Sequence, residues 1–143
     1  MKMMKKTALF LVIAIMMCTL ICVNASAETS ANSDSGFYRM MLLMAYDGGT
    51  DQTLNRTKVI ANSFVDVEEL MIATYNTEGI YLRVRDGSTG AYATAAGNLH
   101  TYDSWWRPTY NSGYGVTGHT YYVKGQTPSG SMYSAAVDAY WCP

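Results

Sequence analysis

The sequence predicts a small all-β domain, an antiparallel β-sandwich or barrel-like fold, placed behind a cleaved signal peptide. Three observations predict it. Apolar and polar residues alternate with a period of two from Ile80 to Arg85 and again from Tyr133 to Trp141, which is the pattern of half-buried strands. Turn-forming residues recur at intervals of roughly 8–12 residues, the spacing of sandwich and barrel folds. The composition is rich in Tyr and Gly, with 12 of each, and only 15% of residues are charged, which suits short strands joined by turns better than long helices.

The leader is read first. Lys2, Lys5 and Lys6 precede an uncharged apolar run over residues 7–23, followed by Asn24-Ala25-Ser26-Ala27-Glu28. A basic start, an apolar segment and small residues at Ala25 and Ala27 are the three parts of a secretory signal peptide, so residues 1–27 are expected to be removed by cleavage between Ala27 and Glu28. A permanent anchor is the rival, since about 17 apolar residues can just cross a bilayer, but the Ala-x-Ala site directly after the run opposes it. Met17 and Ile21 before Cys18 and Cys22 are too large for a lipidation site. The expected product is secreted, with no membrane anchor after cleavage.

Cleavage leaves seven basic against eleven acidic residues, a net charge of −4. A mildly acidic domain with no basic run has no electrostatic footprint for nucleic acid or anionic lipid. Cys142 is then the one remaining cysteine, so no internal disulfide is expected. A dimer joined through Cys142 is the crosslink the sequence allows.

Residues 28–36 hold nothing apolar larger than alanine and read as a flexible lead-in. A single β domain is expected over 37–143. Residues 37–46 are nearly all apolar and end at Asp47-Gly48-Gly49, a strong turn signal, so they read as a strand buried on both faces. The run 58–65 follows after a polar loop. Residues 67–75 admit two readings: a helix capped by Ser63 with Phe64, Val67, Met71 and Tyr75 on one side, or a strand with Leu70 and Ile72 inward. The strand is preferred. Ile80, Leu82 and Val84 then share one face of a strand, with Tyr81, Arg83 and Arg85 on the other. The loop Asp86-Gly87-Ser88-Thr89-Gly90 joins it to 91–96 as a hairpin. Residues 97–118 form a long aromatic loop, and 119–124 and 131–141 are expected to pair as a closing hairpin.

The ending Val137-Asp138-Ala139-Tyr140-Trp141, with the Tyr121-Tyr122-Val123 strand and the Gly-Gln-Thr-Pro-Ser-Gly turn before it, resembles small secreted β-sandwich proteins of Gram-positive bacteria, and lactococcin 972-like bacteriocins have a broadly similar build. The resemblance covers about the last third of the mature chain and implies the fold more than an activity.

No spacing sets up catalysis. His100, Asp103 and His119 offer two imidazoles and a carboxylate, but no positioned nucleophile or metal ligand set. No cofactor or metal is expected. Asp47 and Asp51 lack the alternating ligands of a calcium loop, and Asn55-Arg56-Thr57 matches a sequon that a bacterial product leaves unread. Arg83 and Arg85 beside Tyr81 read either as a solvated face or as a patch for acidic or sugar ligands. Tyr102, Trp105, Trp106, Tyr110 and Tyr114 gather in one loop. They either present rings to a ligand or plug the end of the sandwich. The expected function is non-catalytic binding of a cell-wall glycan or envelope protein through that loop. The alternatives are a bacteriocin-like secreted antagonist and, third, a small hydrolase using His100, His119 and Asp103.

Overall fold

Alternation is the local rule from which the architecture grows. The computed structural model describes residues 36–75 and 77–143. The expected signal peptide, its cleavage site at Ala27 and Glu28, and the lead-in through Ser35 lie outside the described residues. Eight strands follow in chain order: β1 (Tyr38–Met44), β2 (Thr50–Gln52), β3 (Arg56–Thr57), β4 (Asp66–Thr74), β5 (Ile80–Asp86), β6 (Gly97–Leu99), β7 (Thr120–Gln126) and β8 (Ala135–Cys142). They form two antiparallel sheets, a smaller one ordered β1-β8-β4 and a larger one ordered β2-β7-β5-β6, with β3 also pairing with β7. The described residues form an all-β domain, as the alternation predicts.

The core lies between the sheets. Met40, Leu42 and Met44 of β1 and Val137, Ala139 and Trp141 of β8 are buried from one side, and Ile80, Leu82 and Val84 of β5 with Tyr121 and Val123 of β7 from the other. Each large apolar side chain so buried contributes roughly 1.5–3 kcal/mol. β1 is buried on one face rather than two, because Arg39, Met41 and Leu43 point outward, and Leu43 is 52% exposed. Gly125 of β7 marks the closest approach of the sheets: a Cβ there would stand 2.6 Å from Met44 Sδ.

β4 is a strand with a defect that explains its ambiguous sequence. Val67 pairs with Trp141 and Glu68 with Tyr140, but Met71 pairs with Asp138, so two residues of β4 face one of β8. This is a β-bulge. Glu69 occupies it with φ of 50°, and the extra residue re-phases the alternation so that Val67, Leu70 and Ile72 all face the core. A spacing of three inside a period-two strand imitates a helix.

The 97–118 segment is less loose than its sequence suggests. Val67 and Trp106 exchange both backbone hydrogen bonds at 2.9 Å, Val65 N–H donates to Pro108 O and Leu70 N–H to Ser104 O. Residues 104–110 thus cover the free edge of β4, which would otherwise expose unpaired backbone groups. Thr94 bridges to Tyr110 and Arg85 to Tyr92, so this segment also ties the smaller sheet to the larger one.

Two connections differ from expectation. The hairpin after β5 forms, yet 91–96 pair with it only through isolated bridges, and regular pairing resumes at β6, with Leu82 opposite Gly97. β7 and β8 form no hairpin at all. They belong to different sheets, with residues 127–134 crossing between them. Tyr121 and Val123 on β7 and Val137, Ala139 and Trp141 on β8 enter one core from opposite sheets, which two strands side by side in one sheet cannot do.

Candidate binding groove

The outward residues of β5 and β7 meet in strict register. Tyr81 lies opposite Gln126, Arg83 opposite Lys124 and Arg85 opposite Tyr122. Like charges directly across an antiparallel pair oppose folding, so the Arg83–Lys124 juxtaposition has no structural explanation. Arg85 adds a third cation two residues along the same face.

Tyr92 arrives over this row from the hairpin that follows β5. The guanidinium carbons of Arg83 and Arg85 lie 4.1 Å and 4.5 Å from its ring centroid. Arg85 Nη1 also donates to Gly90 O at 3.2 Å. The Nε atoms of both arginines are buried and bond to nothing. Among the described residues no carboxylate pairs with Arg83, Arg85 or Lys124, whereas Arg39 pairs with Asp138 and Arg107 with Asp66.

The result is a groove of about 860 Å³ across β6, β5 and β7. Its lining includes the cationic and tyrosine row, the amides of Asn98 and Gln126, the carboxylate of Glu78 and residues 127–129. Asp86 holds the hairpin that delivers Tyr92. Asp86 Oδ1 accepts from the N–H groups of Ser88 and Thr89 and from the Thr89 hydroxyl, at 2.8–3.1 Å. Burial alone would push this carboxyl up, but the hydrogen bonds from Thr89 and Ser88, helped by His119, outweigh it and hold the pKa below the ordinary value.

The five aromatic loop residues divide. Trp106 and Tyr110 are buried in the core, and Tyr114 packs against it. The Trp106 indole sits where a side chain on Gly97 would clash, so the glycine at the start of β6 makes its space. Tyr110 stacks at a tilt on Tyr121, 5.0 Å between centroids, and the Tyr121 hydroxyl accepts from the N–H groups of Gly115 and Val116. Tyr102 and Trp105 remain exposed, at 79% and 66%, with Tyr102 stacked on His100 at 5.1 Å.

His100 and His119 stand apart. His100 belongs to the Gly79 end of β5, where its backbone N–H donates to Asp103 Oδ2 at 2.7 Å. His119 adjoins the Asp86 end, beside Thr120 and Gly87. The length of β5, about 20 Å at 3.3 Å per residue, separates them. Among the described residues no three His, Cys, Asp or Glu side chains gather as a metal site. Asp47, in the turn after β1, accepts from Gly130 N–H, and Asp51, in β2, accepts from Leu43 and Gln52 N–H.

Cys142 is buried at the end of β8 as a free thiol. Burial pushes its pKa up, partly offset by Lys58. Lys58 is itself fully buried, bonded to Asn62 Oδ1 and to Pro143 O, and 4.9 Å from the Tyr110 ring centroid. Its pKa is lowered, again by burial. An intermolecular disulfide at Cys142 therefore requires the end of β8 to open first.

Tyr92, Asn98, Lys124 and Gln126 were not visible as site residues in the sequence. The signal that finds them is cross-strand register: once Arg83 is set opposite Lys124, the row is complete. No family model, curated protein or solved structure matches the chain.

Proposed function

We propose that this chain is an exported, non-catalytic binding domain that takes a cell-envelope glycan on the outer face of its larger sheet. The observation that carries the reading is the groove itself, where Tyr81 and Tyr92 lie beside the amides of Asn98 and Gln126 and the cations Arg83, Arg85 and Lys124. Tyrosine rings stack on the C–H faces of sugars, and amides and guanidinium groups bond their hydroxyls and charges. The leader ending at Ala27 supports export. A second reading, contact through the aromatic loop, is favoured by the exposure of Tyr102 and Trp105.

The test is retention of the mature protein, beginning at Glu28, on purified cell walls. Tyr81→Ala combined with Tyr92→Ala is expected to reduce retention about tenfold, with Trp105→Ala leaving it unchanged. Loss with Trp105→Ala alone transfers the function to the loop, and no retention of the unaltered protein overturns the reading.

A further inference from the structure

We propose that the ligand of this groove is polyanionic, a glycan or polyol chain carrying phosphodiester or carboxylate groups that Arg83, Arg85 and Lys124 bind around Tyr92. The inference rests on the groove being the binding surface and adds the charge of what it binds.

Charge segregation is the first argument. The expected mature chain carries −4 overall, yet this one groove gathers three cations against the single carboxylate of Glu78. A ligand that only needed hydroxyl contacts would gain nothing from that concentration. The second argument is repulsion. Arg83 faces Lys124 directly, and the two guanidinium groups share one ring. An anion placed among them relieves that repulsion.

Unused donors supply the third. A guanidinium offers five N–H donors and an ammonium three. The Arg83 and Lys124 side chains make no hydrogen bond among the described residues, and Arg85 uses Nη1 toward Gly90. Guanidinium groups with free donors match the oxygens of phosphate and carboxylate.

Spacing along the strand suits a ligand with more than one anionic group. A groove near 860 Å³ far exceeds one phosphate. Arg83 and Arg85 emerge about 6.6 Å apart along β5 at 3.3 Å per residue, so successive charges of one chain meet successive arginines. A nucleic acid is disfavoured, because three cations on a net-negative domain give no extended basic track.

The experiment titrates the mature protein with poly(glycerol phosphate), polygalacturonate, neutral dextran and a 15-residue oligothymidylate, following tyrosine fluorescence and calorimetry. Binding to poly(glycerol phosphate) or polygalacturonate is expected, and which of the two is tighter separates phosphate from carboxylate as the recognised group. With about three charge contacts, affinity is expected to fall roughly 20- to 40-fold between 50 and 200 mM salt. Arg83→Gln with Arg85→Gln is expected to weaken it at least tenfold with an unchanged near-ultraviolet spectrum, and Arg107→Gln, outside the groove, to leave it as it was. Salt-independent dextran binding that survives the arginine substitutions but not Tyr81→Ala with Tyr92→Ala overturns the polyanion and leaves the glycan-binding reading standing. Tighter binding of oligothymidylate than of either polymer, or wall retention with no binding to either polymer, also overturns it.

Discussion

Asp86 shows how one side chain can serve the fold and the groove together. It is 6% exposed, and its Oδ1 gathers three donors from Ser88 and Thr89. Its folded pKa is lowered, so its contribution to stability is fully present above the unfolded value near 3.9 and is lost as pH falls through the folded value. Asp86→Asn is expected to destabilise by about 1.5–3 kcal/mol at neutral pH, the range for hydrogen bonds to a charged group. The gap between the two urea midpoints should narrow as pH drops from about 5 to below about 3. A gap that stays constant over that interval rules out the carboxylate as the cause. The same substitution loosens the hairpin that positions Tyr92, so wall retention should weaken with it.

At the scale of elements, what the sequence discloses depends on whether a residue's role is local. β5 is legible because Ile80, Leu82 and Val84 alternate without interruption with Tyr81, Arg83 and Arg85. β4 is only half legible, since the bulge at Glu69 breaks the period that would identify it. The strand is readable there but its defect is not. Pairing is the least legible feature: β7 and β8 are adjacent in the chain and both alternate, and nothing local says that they face each other across the core. The groove was hidden for the same reason, being assembled from β5, β6, β7 and Tyr92. Trp105 and Trp106 are neighbours of one type with opposite fates, decided by the backbone exchange of Trp106 with Val67 and the space left by Gly97. The bulge yields a prediction. Glu69 holds a left-handed conformation that costs a residue with a Cβ roughly 1–2 kcal/mol, while glycine returns some of that through its larger unfolded-state entropy. Glu69→Gly is expected to raise stability by about 0.5–1 kcal/mol in urea unfolding. A loss would mean that the Glu69 side chain, not its backbone, maintains the bulge.

At the scale of the molecule, the inward apolar side chains are sealed between two sheets while charge is sorted onto particular faces. Arg39–Asp138 lies on the smaller sheet and Arg107–Asp66 near its edge, whereas Arg83, Arg85 and Lys124, with no carboxylate partner among the described residues, lie on the larger one. The burial of Cys142 under this closure offers a measure of opening. Its thiol is expected to react with a disulfide reagent at least about a hundredfold more slowly in the folded protein than in urea, since a buried thiol with a raised pKa needs both exposure and ionisation. Equal rates would show that the end of β8 frays freely.

The position of β8 has a consequence in time. It is the middle strand of its sheet and the last of the eight in the chain, and the Arg39–Asp138 pair it forms with β1 spans 99 residues of sequence. A ribosome delivers β1 and β4 long before it delivers β8. Until then neither has its partner, and Met40, Leu42, Val67 and Ile72 have only half a core to enter. Contacts of such sequence separation form slowly because the loop must be closed before the pairing is gained. The smaller sheet closes only when β8 arrives, so the pairing of β1 and of β4 waits on the last of the eight strands.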